Sequence, residues 1–402
     1  MAGCSQNTEG LNEVEVTGIT AGETEQPQNE EKKKETAMPV TKLDIENYNL
    51  EYKENTDAQP FFGWSNVAKT ENGYYLWGSG NYLSYLMFFD PKTQKSVPVC
   101  NLPNCSHSDD NCNAYYPMGE LEKDDIWKYG LWYYDNYIYM IGYDTDDYVN
   151  LYRTKLDGSS REKYMQLYKA DTTPSENDGA KEYSIPELII HRGYVYYIDK
   201  KEKKPKLKRM KLGGKETEIL YETDGTYETD GNKPELNRIK GYGDYIFFQR
   251  SSVFGKEHKE LEGLYAYNIQ TRGITFVSNS IERDFTIFEN EIYYCMEKEL
   301  HKFSIQTQED EKLMDYPKGI TQVSVDRNYI TLLSTKDNKI QIYDRKLNLL
   351  YDDMGDEETG ILECYKGDEN FFFAQFDVEK GRIRKLDKSK LKDKTAQWEV
   401  MY

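Results

Sequence analysis

A tyrosine-rich phrase returns seven times along this chain. It reads Gly73-Tyr74-Tyr75-Leu76-Trp77, Asn136-Tyr137-Ile138-Tyr139-Met140, Gly193-Tyr194-Val195-Tyr196-Tyr197-Ile198, Asp244-Tyr245-Ile246-Phe247-Phe248, Glu291-Ile292-Tyr293-Tyr294-Cys295, Asn328-Tyr329-Ile330-Thr331-Leu332 and Asn370-Phe371-Phe372-Phe373-Ala374. Each is a turn or polar residue followed by aromatic and β-branched residues, the pattern of a short strand leaving a tight turn. A unit recurring every few tens of residues means a repeat architecture. Its 402 residues exceed one compact core, and a repeat fold meets that limit by burying each unit against its neighbours.

A second strand follows each phrase. Leu86-Met87-Phe88-Phe89-Asp90, Leu264-Tyr265-Ala266-Tyr267-Asn268 and Ile340-Gln341-Ile342-Tyr343-Asp344 are examples. Apolar and polar residues alternate in most of these strands, and Asp, Asn, Gly or Ser ends them. A third strand often follows, as in Glu218-Ile219-Leu220-Tyr221. Another precedes the phrase, as in Pro186-Glu187-Leu188-Ile189-Ile190. Four strands per unit at this spacing are propeller blades. The expected fold is all-β, a seven-bladed β-propeller of four-stranded antiparallel blades over residues 46–402. A smaller propeller with an irregular N-terminal region is the rival architecture. The spacing shortens from 63 residues between Tyr74 and Tyr137 to 42 between Tyr329 and Phe371, so early blades carry insertions, which in repeat folds map to one, often binding, face. The strand-like ends, Phe61 to Val67 and Thr395 to Tyr402, are expected to share a blade and so remove exposed edges.

Tyr occurs 36 times and aromatics make up 14% of residues, which suits half-buried pleated surfaces. Lys plus Arg number 52 against 71 for Asp plus Glu, a net charge of −19. That balance argues against nucleic acid, which needs concentrated positive charge at the contact, and against direct adhesion to an anionic membrane. No apolar run approaches the roughly 20 residues of a spanning helix.

The chain opens Met1-Ala2-Gly3-Cys4-Ser5. Ala-Gly-Cys-Ser resembles the lipobox of bacterial lipoproteins, in which the cysteine, here Cys4, carries the lipid. The usual Leu is replaced by Met1, and no charged or apolar signal region precedes it. From Ser5 to about Val40 the chain lacks aromatics and is mostly Glu, Gln, Asn, Thr, Gly and Lys. Such a segment buries too little apolar surface to order itself. Residues 1–45 are therefore expected to be a lipidated N-terminus and a disordered tether, with a reach on the order of 35 Å.

Gly193 to Asp199 resembles the Tyr-Trp-Thr-Asp propellers of lipoprotein receptors. The whole chain resembles lipid-anchored propeller lipoproteins, of uncharacterised role, from anaerobic Gram-positive gut bacteria. The resemblance implies an extracytoplasmic, monomeric protein held to the cell membrane by its lipid alone. It implies a binding module for a glycan, a peptide or a cell-envelope protein. The alternative is an extracellular hydrolase or lyase using acidic residues on the propeller face.

The sharpest local feature is Cys100-x4-Cys105-x-His107-x4-Cys112. Three thiolates and one imidazole are a common tetrahedral zinc set, although the spacing differs from a zinc knuckle. A disulfide is the second reading, since an extracellular location favours one. Apart from Cys4, five cysteines remain, and an odd number cannot all pair internally. Cys295 and Cys364 read as buried small hydrophobes. A catalytic Cys105–His107 pair lacks an orienting third group. The gut lipoproteins carry a similar loop after the first blade. Elsewhere, no nucleophile elbow, zincin helix or phosphate loop occurs, and Asp144-Thr145-Asp146-Asp147 reads as a solvated hairpin tip. Trp127, Tyr129 and Trp132 are the candidate ligand-binding aromatics, in a region where Asp125-Ile126-Trp127-Lys128-Tyr129 stands out for exposure.

Overall fold

In the computed structural model, residues 38–401 are described except 47–50, 54, 60–65, 79–83, 109–110, 117–124, 171, 175–180, 184–186, 201–203, 224–233, 253–258, 282–283, 297, 317–321, 335–338, 355–360 and 377–381. Cys4 and the expected tether up to residue 37 lie outside the described residues.

Seven antiparallel sheets follow one another along the chain. Blade 1 holds β1 (Val67–Thr70), β2 (Gly73–Trp77), β3 (Ser84–Asp90), β4 (Lys95–Pro98) and the short β5 (Tyr115–Tyr116). Blade 2 holds β6 (Asp125–Tyr134), β7 (Tyr137–Tyr143), β8 (Tyr148–Lys155) and β9 (Arg161–Lys169), followed by a small hairpin, β10 (Thr172–Pro174) and β11 (Lys181–Tyr183). Blade 3 is β12 (Leu188–His191), β13 (Tyr194–Asp199), β14 (Lys206–Lys211) and β15 (Thr217–Glu222). Blade 4 is β16 (Pro234–Tyr242), β17 (Tyr245–Ser252), β18 (Gly263–Asn268) and β19 (Ile274–Ser278). Blade 5 is β20 (Phe285–Phe288), β21 (Glu291–Met296), β22 (Glu299–Ser304) and β23 (Asp310–Asp315). Blade 6 is β24 (Gln322–Val325), β25 (Tyr329–Ser334), β26 (Lys339–Asp344) and β27 (Leu349–Met354). Blade 7 is β28 (Ile361–Gly367), β29 (Phe371–Phe376), β30 (Arg382–Asp387) and β31 (Trp398–Val400). Among the described residues, helix is confined to two short 3₁₀ turns. None is long and apolar enough to cross a membrane.

The tyrosine phrase is the second strand of every blade. Its residues are apolar in succession, not alternately, because both faces of the strand are buried. Tyr74 faces blade 7 while Tyr75 faces blade 2. Ile138 faces blade 1 while Tyr139 faces blade 3. Tyr293 faces blade 6 while Tyr294 faces blade 4. Each inter-blade gap is thereby filled by its own apolar cluster, and the seven clusters run from blades 1 and 2 round to blades 7 and 1. Tyrosine serves where a hydroxyl must reach past the apolar layer to a polar partner. Tyr75 Oη donates to the Leu156 carbonyl at 2.7 Å, and Tyr294 Oη donates to Asp310 at 2.8 Å.

The first strands of neighbouring blades approach one another and line a central channel. Their free edges need partners, and side chains from adjoining blades supply several. Asn66 accepts the Gly130 N–H at 3.0 Å, and Asp284 accepts the Val323 N–H at 3.4 Å. Glu187 accepts the Arg238 N–H.

The expectation of a shared closing blade is corrected. β31 pairs only with β30 as the fourth strand of blade 7, and β1 is the first strand of blade 1. Among the described residues every blade is a meander of consecutive strands and no strand is exchanged between blades; residues 61–65 of the strand expected from Phe61 to Val67 lie outside the described residues. Side chains close the ring instead. Val67, Tyr74, Leu76 and Phe89 of blade 1 pack with Phe371, Phe373 and Ile383 of blade 7. Tyr74 Oη donates to Asp368 at 2.6 Å, Lys69 reaches the same carboxylate at 2.7 Å, and Lys385 bonds Gln94 at 2.8 Å.

Residues 38–45, placed in the tether by the sequence, lie on the ring. Val40 bridges Phe276 in parallel, the Thr41 N–H donates to the Phe276 carbonyl, and Leu43 is buried between blades 4 and 5. Leu43 and Ile45, two apolar side chains in a polar segment, pack against the cluster between these blades with the help of those backbone bonds, which composition cannot reveal.

Candidate metal centre

The outer strand of blade 1 is split. β4 pairs with β3 from Met87 to Asp90, and β5 pairs with its other end at Ser84 and Tyr85. Between them residues 99–114 leave the sheet and return to one residue. The Val99 N–H donates to the Leu86 carbonyl at 2.9 Å, and the Leu86 N–H donates to the Ala114 carbonyl at 2.8 Å. That stem brings Cys100 and Cys112 together. Asn113 Nδ2 adds a bond to Asn101 Oδ1 at 2.6 Å across it. Within the loop, Asn104 and His107 take left-handed backbone angles of φ 59° and 54°. These two reversals return Cys105 and His107 to one point although they stand two positions apart.

One ligand atom from each of Cys100, Cys105, His107 and Cys112 lies within 4.8 Å of all the others. His107 Nδ1 is 3.2 Å from Cys112 Sγ. A tetrahedral zinc with Zn–S of about 2.3 Å needs ligand separations of roughly 3.7 Å, which small rotations of these side chains supply. The three cysteines are unbridged. The backbone around Cys100 favours its thiolate. Burial works against ionisation of Cys100, but N–H groups of Leu102 and Asn113 and the neighbouring thiols hold its pKa below the ordinary value. Burial, with some opposition from the Ala114 N–H, pushes Cys112 up to about 12. A divalent cation would offset the cost of that ionisation, and N–H donors to ligand sulfur are the supporting contacts such sites use. The donor set is soft, closed and four-membered. It can hold a metal ion and leaves no protein-free position for a substrate.

The loop is wedged between blades 1 and 2. Gly158, at φ 75° in the β8–β9 hairpin, sits so close that a Cβ there would lie 2.3 Å from the Val99 carbonyl oxygen. Arg161 donates to the Tyr115 carbonyl at 2.6 Å and covers the Tyr116 ring at 4.9 Å. Tyr116 in turn meets Trp77 edge-on at 5.3 Å.

The aromatic candidates are not brought to this site. Trp127 and Tyr129 lie on β6 where its pairing with β7 jumps from Ile126 to Leu131; their side chains are outside the described residues. Trp132, the third ligand-binding candidate, is 4% exposed and packed between blades 2 and 3. Cys295 is buried in the gap between blades 5 and 6, and Cys364 lies on β28. Asp144 uses its carboxylate to cap its own hairpin, accepting from the Tyr148 N–H at 2.8 Å and Asn150 Nδ2 at 3.0 Å.

The two mouths of the channel differ. Connections from first to second strand are two or three residues, such as 135–136, 192–193, 243–244 and 289–290. Left-handed angles at Asp135, Asn136, Arg192, Glu289 and Asn290 make these turns tight. The strand ends on the opposite face lead into longer connections, including 170–187, 223–233 and 253–262, most of whose residues lie outside the described residues. The short-turn mouth is crossed by residues 51–59, a strap that sequence reasoning missed. Arg192 binds Asp57 through Nε at 2.8 Å and through Nη2 at 3.0 Å, and also binds Asp244. The Ala58 N–H donates to Nδ1 of the fully buried His191 at 2.9 Å, and His191 Nε2 donates to the Gly243 carbonyl at 2.7 Å. Burial lowers the His191 pKa to about 4, in keeping with a neutral ring that accepts at one nitrogen and donates at the other. Gln59 exchanges two bonds with the Lys69 backbone, at 2.5 and 2.9 Å.

No protein-family model matches the chain, and no curated protein matches it in sequence. Solved structures do match in shape. One, from a structural and mechanistic study of two prolyl endopeptidases, shares 9% identity with a TM-score of 0.53 over 86% of this chain and 50% of its own. Another, prolyl oligopeptidase B from Galerina marginata, shares 13% identity with a TM-score of 0.50 over 84% of this chain and 50% of its own. This chain thus spans about half the length of those proteins. At such identity the likeness is one of fold, and the fold is a seven-bladed β-propeller.

Proposed function

We propose that the protein is a lipid-anchored, extracytoplasmic propeller that binds a glycan, a peptide or a cell-envelope protein through its long-connection face, as a monomer, with zinc at Cys100, Cys105, His107 and Cys112 as a structural staple. The observation that supports it most is the asymmetry of the two faces. Tight turns and the strap occupy one mouth, while the strand ends at the other lead into the long connections, and long connections on one face of a repeat scaffold are where binding surfaces form. Zinc belongs to the scaffold in this reading. Four protein ligands make a closed site, and the loop they hold forms the outer edge of blade 1.

Glycan and peptide arrays probed with the full chain test the binding role. Captured ligands should be lost on shortening connection 253–262 or 223–233 and unaffected by changes to the 289–290 turn. Capture that survives both shortenings sinks the assignment of the face. Hydrolysis of an array member, abolished by replacing one acidic residue on that face, would put the hydrolase or lyase reading in its place. Propellers host both roles, so the fold does not choose between them. Metal analysis of protein purified under reducing conditions should give one equivalent of zinc. A metal-free protein with a bridge between two of the three loop cysteines would overturn the staple.

A further inference from the structure

The strap is held like a recognised peptide. Its main chain bonds to the turns of two blades. The Arg192 N–H donates to the Thr56 carbonyl at 2.6 Å, the Asp135 N–H donates to the Asn55 carbonyl at 3.0 Å, and Arg192 Nη2 donates to the Glu51 carbonyl at 3.1 Å. One side chain is the anchor. Asp57 is 1% exposed, forked onto the Arg192 guanidinium and capped by the Lys53 N–H at 3.0 Å. Next to it the small Ala58 is buried beside Gly241, where a Cβ would lie 3.2 Å from the Ala58 Cβ and 2.7 Å from His191 Nδ1.

The receptor side is built independently of the strap. Arg192 sits in a turn with two successive left-handed residues, φ 46° and 83° at Gly193. Asp244 holds the same guanidinium from blade 4, so the fork keeps a partner and its aim if Asp57 leaves. The Gly243 carbonyl fixes the tautomer of His191 that accepts from the strap. A preformed arginine fork, a main-chain acceptor and donor set, and a socket that admits only a small side chain are elements of peptide recognition.

We propose that the short-turn mouth is a docking groove for a peptide turn, like the one in which the Thr56 and Asp57 N–H groups donate to the Lys53 carbonyl, bearing an aspartate followed by a small residue, and that this chain fills it in cis with residues 51–59. The occupant acts as an internal competitor. A tethered segment is present at about millimolar effective concentration, so a free peptide of the same chemistry gains access only when the strap is weakened. This groove lies on the opposite face from the long connections and does not depend on their role.

The test uses the full chain and a nine-residue peptide copying residues 51–59. Asp57→Ala protein should bind this peptide, and unchanged protein should bind it at least about tenfold more weakly, because its own strap competes. Binding should vanish when the peptide carries Ala at the Asp57 position, and when Arg192→Ala is added to the Asp57→Ala protein. Equal binding to both proteins, or binding by neither while Asp57→Ala remains folded, overturns the proposal. Should Asp57→Ala not fold, Asp57→Asn takes its place. Hydrogen exchange at the Ala58 and Arg192 amides gives a second reading. It should rise about tenfold or more in the variant while second-strand amides stay protected, and unchanged exchange would also overturn the proposal.

Discussion

Blade 1 is fastened differently on its two sides. Towards blade 2 it has aromatic and aliphatic packing and, in addition, an insertion in which Cys100, Cys105, His107 and Cys112 converge on a point, with Gly158 and Arg161 pressed against the loop. Towards blade 7 it depends on aromatic packing and on Asp368, a fully buried carboxylate shared by Tyr74 and Lys69. The first side adds to that packing a cluster that can hold a metal ion, which would make it answer to thiol chemistry as well. The second answers to apolar burial and to one charge. These two boundaries share aromatic-rich packing and supplement it by different means, a cysteine–histidine cluster on one side and a buried carboxylate on the other.

Stripping the metal should separate them most. If zinc is present at about a thousand times its dissociation constant, it adds about 4 kcal/mol to the folded state. Chelation or Cys112→Ser should remove that amount in denaturant unfolding and leave the seam with blade 7 intact. A chelated protein with unchanged stability would mean that the loop is held without metal. The seam is probed by Asp368→Ala, which deprives Tyr74 and Lys69 of their partner and should cost about 3 kcal/mol. Burial disfavours the Asp368 carboxylate, but Lys69, Tyr74 and backbone N–H donors outweigh that and lower its pKa. Its stabilisation is therefore present above the ordinary carboxylate pKa and is lost as pH falls through the lower folded value, so this seam should hold at pH 5 in a pH-dependent melt.

Gly158→Ala sharpens the comparison from the blade 2 side. A left-handed backbone and a 2.3 Å approach to Val99 should make it cost about 2 kcal/mol, and it should also weaken metal retention in a competition with a chromophoric chelator. The smallest effect concerns the strap. His191 faces Asp57, Arg192 and Asp244, with the Ala58 N–H and Gly243 carbonyl on its ring nitrogens. Its folded pKa of about 4 lies below the ordinary 6.5, so unfolding takes up a proton as pH falls between those values. The stability it confers is complete above pH 6.5 and should fall by about 1 kcal/mol between pH 7 and 5.5. His191→Gln should flatten that slope. An unaltered slope would assign the pH dependence to other groups.

Much of the scaffold was legible because each blade repeats one physical problem. A second strand buried on both faces must be apolar at every position, and Tyr74-Tyr75, Tyr196-Tyr197 and Phe372-Phe373 state this in the sequence. The four ligands of the loop were legible as types. Their convergence was not, because nothing in Ser106-His107-Ser108 announces a left-handed histidine. The closing seam was misread because a strand-like tail looks the same whether it completes its own blade or a neighbour's. The strap left no trace of period or composition. Asp57 and Arg192 stand far apart in the chain, and only the ring brings them into register.

Because no blade borrows a strand, the order in which the chain visits the seven sheets is interchangeable. Opened at any connection between blades and resealed elsewhere, the polypeptide would still deliver seven whole meanders. Circular permutants and blade duplications are therefore natural moves for this scaffold, and the strap, which reaches several blades from one end, is the element that would register the change.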